Sequence, residues 1–189
     1  MNSKDDGMLQ NSTTQYGSIS KILHWAMSAS IIGLVLAGFT MINLKDSALK
    51  WQIYSLHKTT GLTIMLLVPI RFIWRISQTA PTLAMLPHRE QIGAKWGQYS
   101  LYTLMALMPI TGWFMSTAAG YPPLLFGSLT WAAPIAKSKA TSQLYGQFHW
   151  YGAWILTIAV LGHIGLAMKH HWVNHNKILK RMLPGSLNS

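Results

Sequence analysis

The sequence contains no cysteine, which excludes structural disulfides, thiolate-ligated haem, iron–sulfur clusters and cysteine-based zinc sites. Acids are almost as scarce. In 189 residues there are four, Asp5, Asp6, Asp46 and Glu90, and each lies outside the long apolar runs. A carboxylate-based proton pump or cation transporter normally needs Asp or Glu at membrane depth, so that class is disfavoured. Charge of either sign makes up only 10% of the chain, against about 25% in an ordinary soluble domain. The first 18 residues are polar and hold no apolar core, so no cleaved secretory signal is expected and insertion falls to the first apolar helix.

What is present is hydrophobic. Apolar residues reach 50% and the mean hydropathy is +0.24, the balance of a membrane protein. Four stretches are long enough to cross a hydrocarbon core, which takes about 20 residues as a helix. They are placed at 20–43, 51–76, 95–118 and 144–170. The fold class expected is therefore all-α, an integral membrane four-helix bundle. It is divided into a polar tail over 1–18, the transmembrane domain over 19–172 and a basic tail over 173–189. Pro81 and Pro87 end the second helix. Between Ala119 and Gln143 the residues Pro122, Pro123, Gly127 and Pro134 exclude one long helix, leaving room for a short interfacial helix over 137–143.

The formal charge is +11, yet the basic residues form no run of five or more, which argues for membrane topology rather than nucleic acid. With the N-terminus cytoplasmic, that side carries Lys4, Lys21, Arg71, Arg75, Arg89, Lys95, Lys169, Lys177, Lys180 and Arg181. The outside then carries Lys45, Lys50, Lys58, Lys137 and Lys139. This bias places both termini in the cytoplasm. Trp25, Trp51, Trp74, Trp96, Trp113, Trp150 and Trp172 lie near expected helix ends, as interfacial aromatics do.

Of eight histidines, His24, His57, His149 and His163 fall inside apolar helices, where an unpartnered imidazole is costly. His149 and His163 are 14 residues apart, which leaves them about 40° apart in azimuth and about 21 Å apart along a helix. One face of the fourth helix thus offers two ligands, one near each membrane surface. By depth, His57 shares the level of His149 and His24 shares that of His163. Two stacked imidazole pairs suit bis-histidine ligation of two haems, with all four histidines as iron ligands. The bland alternative is that each ring hydrogen-bonds a neighbouring helix. A zinc or copper site is disfavoured because each level supplies two imidazoles and no third ligand. Gly33, Gly61, Gly152, Gly162 and Gly165 would relieve crowding beside a flat ring.

The segments Ile22-Leu23-His24-Trp25, Leu56-His57-Lys58-Thr59-Thr60-Gly61 and Arg71 to Arg75 carry a resemblance to the bacterial cytochrome b561 family. So do the His149 to His163 spacing and the ending His170-His171-Trp172 with Leu179 to Gly185. The resemblance covers most of the chain. It implies a protein of the bacterial inner membrane with two b haems that exchanges electrons with ubiquinone. His24 and His163 would hold the cytoplasmic-side haem, and His57 and His149 the periplasmic-side haem. One type of relative is a superoxide oxidase, which passes electrons from periplasmic superoxide to ubiquinone; others are haem-bearing anchor subunits of hydrogenases and dehydrogenases. The chain departs from the superoxide-oxidase type at His88, Arg89 and Glu90.

Further roles follow from position. Arg71 and Arg75 near the inner level and Lys58 beside an outer ligand are assigned to haem propionates, with snorkelling to lipid headgroups as the competing reading of the two arginines. His170, two turns beyond His163, is the candidate quinone contact and proton-exchange residue, against the reading of a solvated interfacial histidine. His88, His171 and His175 are read as surface groups. The outer lysines, opposed by Asp46 alone, form a positive mouth suited to a small anionic reductant or an acidic protein partner.

Overall fold

In a computed structural model, residues 9–125 and 127–183 are described. The parts of the two tails at 1–8 and 184–189 lie outside the described residues. Four long helices dominate: α1 (Ser18–Asn43), α2 (Ala48–Ser77), α3 (His88–Ala118) and α4 (Lys139–Met168). A two-stranded hairpin, β1 (Leu124–Leu125) with β2 (Leu129–Thr130), lies between α3 and α4. A π-helical turn over Lys169–Val173 follows α4, and a 3₁₀ turn occupies Lys180–Met182.

Two boundaries differ from the sequence expectation. Helix α3 starts at His88 rather than near residue 95, because the Pro87 carbonyl accepts from Glu90 N and Gln91 N at 2.9 and 3.1 Å and opens the helix there. Glu90 in the first turn complements the positive end of the helix dipole. The short helix expected over 137–143 is instead the beginning of α4, continuous from Lys139. Pro69 and Pro109 are accommodated inside α2 and α3, which membrane helices tolerate more readily than soluble ones.

Among the described residues, three segments, Ser18–Asn43, Ala48–Ser77 and Lys139–Val173, are long and apolar enough to cross a membrane. Helix α3 falls short because its polar first half is followed by a second half diluted by Thr103, Pro109, Thr111, Gly112, Ser116 and Thr117. The helix surfaces are apolar outward: Ile22, Leu36, Leu56, Ile73, Ile158 and Leu161 are each more than 60% exposed. A soluble protein does not expose apolar area on that scale, whereas hydrocarbon is its natural solvent.

The chain divides into two compact units. Residues 9–26, 69–101 and 158–183 form the first, where the start of α1, the end of α2, the start of α3 and the end of α4 meet. Trp74 Nε1 donates to Ser20 Oγ (2.9 Å), Trp25 Nε1 to the Met182 carbonyl (2.8 Å), and Arg181 Nη1 to the Thr82 carbonyl (2.6 Å). The last two bonds tie the C-terminal segment down.

The second unit comprises 27–68 and 102–157, with Met27, Leu62, Ile64, Met105, Ala118, Ala133 and Leu156 buried. Gly120, at φ +89°, ends α3: its N–H bonds the Thr117 carbonyl and that of Tyr121 bonds the Ser116 carbonyl, both at 2.9 Å, a Schellman closure. The chain then enters the hairpin, where Gly127 adopts φ +76°, a left-handed conformation that favours glycine. Trp113 Nε1 bonds the Trp131 carbonyl at 2.6 Å, and Thr117 Oγ1 accepts from Ala133 N at 3.0 Å, fastening the loop onto α3.

Candidate functional site

Each unit brings together one pair of the helix histidines. In the first, the rings of His24 on α1 and His163 on α4 have centroids 6.3 Å apart, with planes at 64°. In the second, His57 on α2 and His149 on α4 stand 6.2 Å apart at 79°. Helix geometry explains why α4 serves both, since its two histidines are 14 residues apart on nearly one face.

The spacing has chemical meaning. A metal–imidazole bond is about 2.0–2.1 Å and the ring centre lies roughly 1.1 Å behind the nitrogen, so two rings on opposite sides of one metal have centres about 6.3 Å apart. Both pairs match it. Edge-to-face ring contacts fall at this distance too, as Tyr145 and Phe148 do at 6.3 Å; what sets the two histidine pairs apart is that each joins two imidazoles from different apolar helices. Among the described residues, no three side chains of His, Cys, Asp or Glu converge as a metal site.

The second unit also fixes a tautomer. His149 Nδ1 lies 3.1 Å from the Met108 carbonyl and 3.1 Å from Thr111 Oγ1, while the Thr111 hydroxyl donates to the same carbonyl at 2.8 Å. A carbonyl only accepts, so Nδ1 carries the proton and Nε2 keeps its lone pair, the arrangement of a metal-binding histidine with an orienting partner. Close backbone approaches frame this pair. A Cβ on Gly112 would sit 3.0 Å from His149 Cε1, and one on Gly38 would sit 3.5 Å from His57 Cε1. Neither glycine was singled out from sequence, because each serves a ring on another helix. Gly61, one turn after His57 and so on its face, borders no atom within 4 Å of a Cβ position. The backbone there is bare, as a flat macrocycle would need. The same holds at Gly33, Gly162 and Gly165, whereas Gly152 makes room for Met108, whose Sδ would lie 2.6 Å from a Cβ.

The first unit is arranged differently around its pair. Arg71 Nη2 is 2.8 Å from His24 Nδ1, and a guanidinium only donates. Nδ1 therefore accepts and the ring proton belongs on Nε2. Coordination through that nitrogen would require Arg71 to leave the ring, for which a carboxylate is a stronger acceptor than neutral imidazole. Arg75 Nε is buried and makes no hydrogen bond. Lys58, next to His57, donates from Nζ to the Tyr121 carbonyl (3.1 Å), and Thr59 donates to the Leu124 carbonyl (3.0 Å). The lysine thus fastens the loop after α3 to α2.

His170 is well covered, with 12% of its side chain exposed. Its Nε2 lies 4.0 Å from Glu90 Oε2, and its Nδ1 lies 3.2 and 3.1 Å from the side-chain amides of Asn174 and Asn176. Glu90 was read from sequence only as a departure from relatives. The signal was its standing as the sole acid between Asp46 and the C-terminus.

The sequence matches the family model for prokaryotic cytochrome b561 over residues 15–185. The chain belongs to the prokaryotic cytochrome b561 family. It is also similar to cytochrome b561 homolog 2 of Escherichia coli (strain K12), with 30% identity over 175 residues, covering 92% of this chain and 93% of that protein. As a cytochrome b561 family member it is a membrane b-type cytochrome that binds haem and transfers electrons. The family match spans all four long helices and therefore both histidine pairs.

Proposed function

We propose that the chain binds two b haems, one between His24 and His163 and the other between His57 and His149, and relays electrons between a small periplasmic donor and ubiquinone. The observation that supports this reading is that the two pairs stand 6.3 and 6.2 Å apart, each close to the separation of about 6.3 Å expected across one ligated metal. Haem held there by His24 and His163 and by His57 and His149 would supply one-electron carriers suited to relay rather than to oxygen chemistry.

The protein residues do the rest. His149 is oriented by the Met108 carbonyl and Thr111. Arg71 and Arg75 would supply the cations for the propionates of haem held by His24 and His163, Arg71 leaving His24 Nδ1 for the stronger acceptor, and Lys58 would have the corresponding role beside His57. Along α4, the 14 residues between His149 and His163 amount to about 21 Å of rise, most of a hydrocarbon core. The protein resides in the bacterial inner membrane with both termini cytoplasmic, as its lysine and arginine distribution supports.

Superoxide is the donor that the charge supports best. The outer lysines are opposed by Asp46 alone, and a shallow cavity of about 280 Å³ is lined by Lys137, Lys139, Ser142 and Gln143. A small anion is drawn to such a field. Two superoxide ions give up one electron each and leave as dioxygen, while one ubiquinone gains two electrons and two protons to become ubiquinol, with His170 beside the quinone oxygen. The alternative is a haem-bearing anchor and electron-transfer subunit of a dehydrogenase or hydrogenase. It is favoured by exposed apolar groups on the outer loop, Tyr121 at 72% and Leu129 at 62%, which would suit a docked partner.

The test is reduced-minus-oxidised absorption of the purified protein with haem quantified per chain, followed by addition of superoxide and then ubiquinone. Two b haems reduced by superoxide and reoxidised by ubiquinone are expected. Two haems indifferent to superoxide, in a protein that co-purifies with a soluble oxidoreductase, would transfer the assignment to the alternative. A folded protein without haem would sink both.

A further inference from the structure

We infer that Asn11 and Arg75 form an anion site beside the start of α1, which takes a carboxylate of the haem held by His24 and His163. The inference rests on the haem reading above and adds to it a residue that precedes the four long helices.

Asn11 is fixed in place on two sides. Its backbone N–H donates to Gln78 Oε1 at 3.2 Å, and its Oδ1 accepts from Gly17 N at 2.9 Å and from Ser20 Oγ at 2.7 Å. Trp74 Nε1 donates in turn to Ser20 Oγ at 2.9 Å. Asn11 is therefore held against the turn of α2 that runs from Trp74 to Gln78 and carries Arg75, with Gln78 and Arg75 neighbours on one helix face. Gly17 makes the closure possible, since a Cβ there would lie 2.3 Å from the Gln10 carbonyl oxygen and 2.4 Å from that of Leu9. The two bonds to Oδ1 also set the orientation of the amide and leave Nδ2 as its donor.

Both residues then present a donor with no acceptor. Asn11 Nδ2 and Arg75 Nε are buried, and neither makes a hydrogen bond. A buried donor left unmade is unfavourable, and two within one helical turn point to one shared acceptor.

The surroundings require that acceptor to be anionic. Arg75 keeps its charge at any ordinary pH. Arg71, one turn nearer the histidine pair, lies 2.8 Å from His24 Nδ1, and Lys21, only 6% exposed, follows Ser20. Helix α1 brings the positive end of its dipole, with no acid in its first turn. The acids among the described residues are engaged elsewhere: Asp46 belongs to the second unit, and Glu90 faces Lys169 and His170. A carboxylate or phosphate from outside the chain fits these donors. Haem propionate and a phospholipid headgroup both offer that chemistry. The row from Arg75 through Arg71 to His24 leads to an imidazole of the inner pair, which favours the haem carboxylate.

The experiment uses the full-length haem-loaded protein in detergent. Asn11→Asp keeps an acceptor for Gly17 N and Ser20 Oγ but replaces the Nδ2 donor with negative charge, so the loop is retained while the site is inverted. Haem loss is followed by transfer to excess apomyoglobin, and midpoint potentials by redox titration. One of the two haems should leave at least about tenfold faster, the scale of a hydrogen bond to a charged group. Its midpoint potential should fall, because added negative charge favours ferric iron. The other haem should change in neither respect. Arg75→Gln should act on the same haem, and the double variant should show less than the product of the two effects, since both donors serve one acceptor. Wild-type rates and potentials in Asn11→Asp overturn the proposal. So does equal acceleration of both haems, the sign of a general loosening. Phospholipid that native mass spectrometry detects on the wild type but not on Asn11→Asp, with haem loss unchanged, moves the site to a headgroup phosphate and overturns the carboxylate assignment. The same acceleration from Asp5→Asn with Asp6→Asn would place the acceptor within the chain and overturn it as well. A haem content untouched by His24→Ala is a separate result, which overturns the ligation reading itself.

Discussion

His149 and His24 show how much a single neighbour decides. Both are imidazoles on apolar helices, yet one meets a carbonyl acceptor and the other a guanidinium donor, and the partner selects which ring nitrogen holds the proton. His57→Ala or His149→Ala should leave one haem per chain with the protein still folded, as read by haem assay and circular dichroism. Equal loss of both haems in every single-histidine variant would contradict two separate pairs. Gly112→Ala should bring a methyl group against His149 Cε1 and lower stability by about 1–3 kcal/mol, the usual range for overpacking, with binding at the His57 and His149 pair affected before that at His24 and His163. Arg71→Leu removes a cation beside the inner pair. A nearby positive charge favours the reduced, less positive iron, so one midpoint potential should fall by an amount on the order of tens of millivolts, measurable by redox titration.

At the scale of elements, helices α1, α2 and α4 follow from apolar length alone, and their observed spans lie within a few residues of those expected. Helix α3 was placed too late because its polar first turns read as a loop. Capping by the Pro87 carbonyl and the favourable Glu90, not hydrophobicity, set its start. The hairpin between α3 and α4 was not anticipated. Its strands are two residues each, far too short for a period-2 pattern, and they are held by bonds to α2 and α3 that no local pattern announces. Lys58→Met together with Thr59→Val removes the bonds to the Tyr121 and Leu124 carbonyls. The double variant should lower stability by about 1–3 kcal/mol and raise protease sensitivity in the loop, assayed by limited proteolysis from the outer side.

For the whole molecule, the distribution of charge is the governing quantity. Reporter fusions to the two ends should place both on the cytoplasmic side; opposite sides would break the orientation argued from lysine and arginine counts. If superoxide is the donor, its reduction of the haems should slow as ionic strength rises, because screening shortens the reach of the outer lysines. Lys137→Gln with Lys139→Gln should reproduce much of that loss at low salt, as read by stopped-flow absorption. A rate insensitive to both would favour a donor other than a small anion.

By itself the sequence determined the solvent, three of the long helices and the presence of a histidine, or two, within apolar stretches. Hydrophobic length fixes what partitions into lipid, and a 14-residue spacing on a 3.6-residue helix fixes two ligands on one face. It also determined the family, since the segments around His24, His57 and His163 are local strings. Only the tertiary structure decided which groups each imidazole meets: the Met108 carbonyl and Thr111 for His149, Arg71 for His24, Gly38 against His57, Gly112 against His149, and Glu90 opposite His170. Those partners come from other helices, distant in sequence. Helical periodicity says which side of a helix a residue occupies, but the partner's identity depends on how helices are rotated against one another, and packing between them sets that rotation.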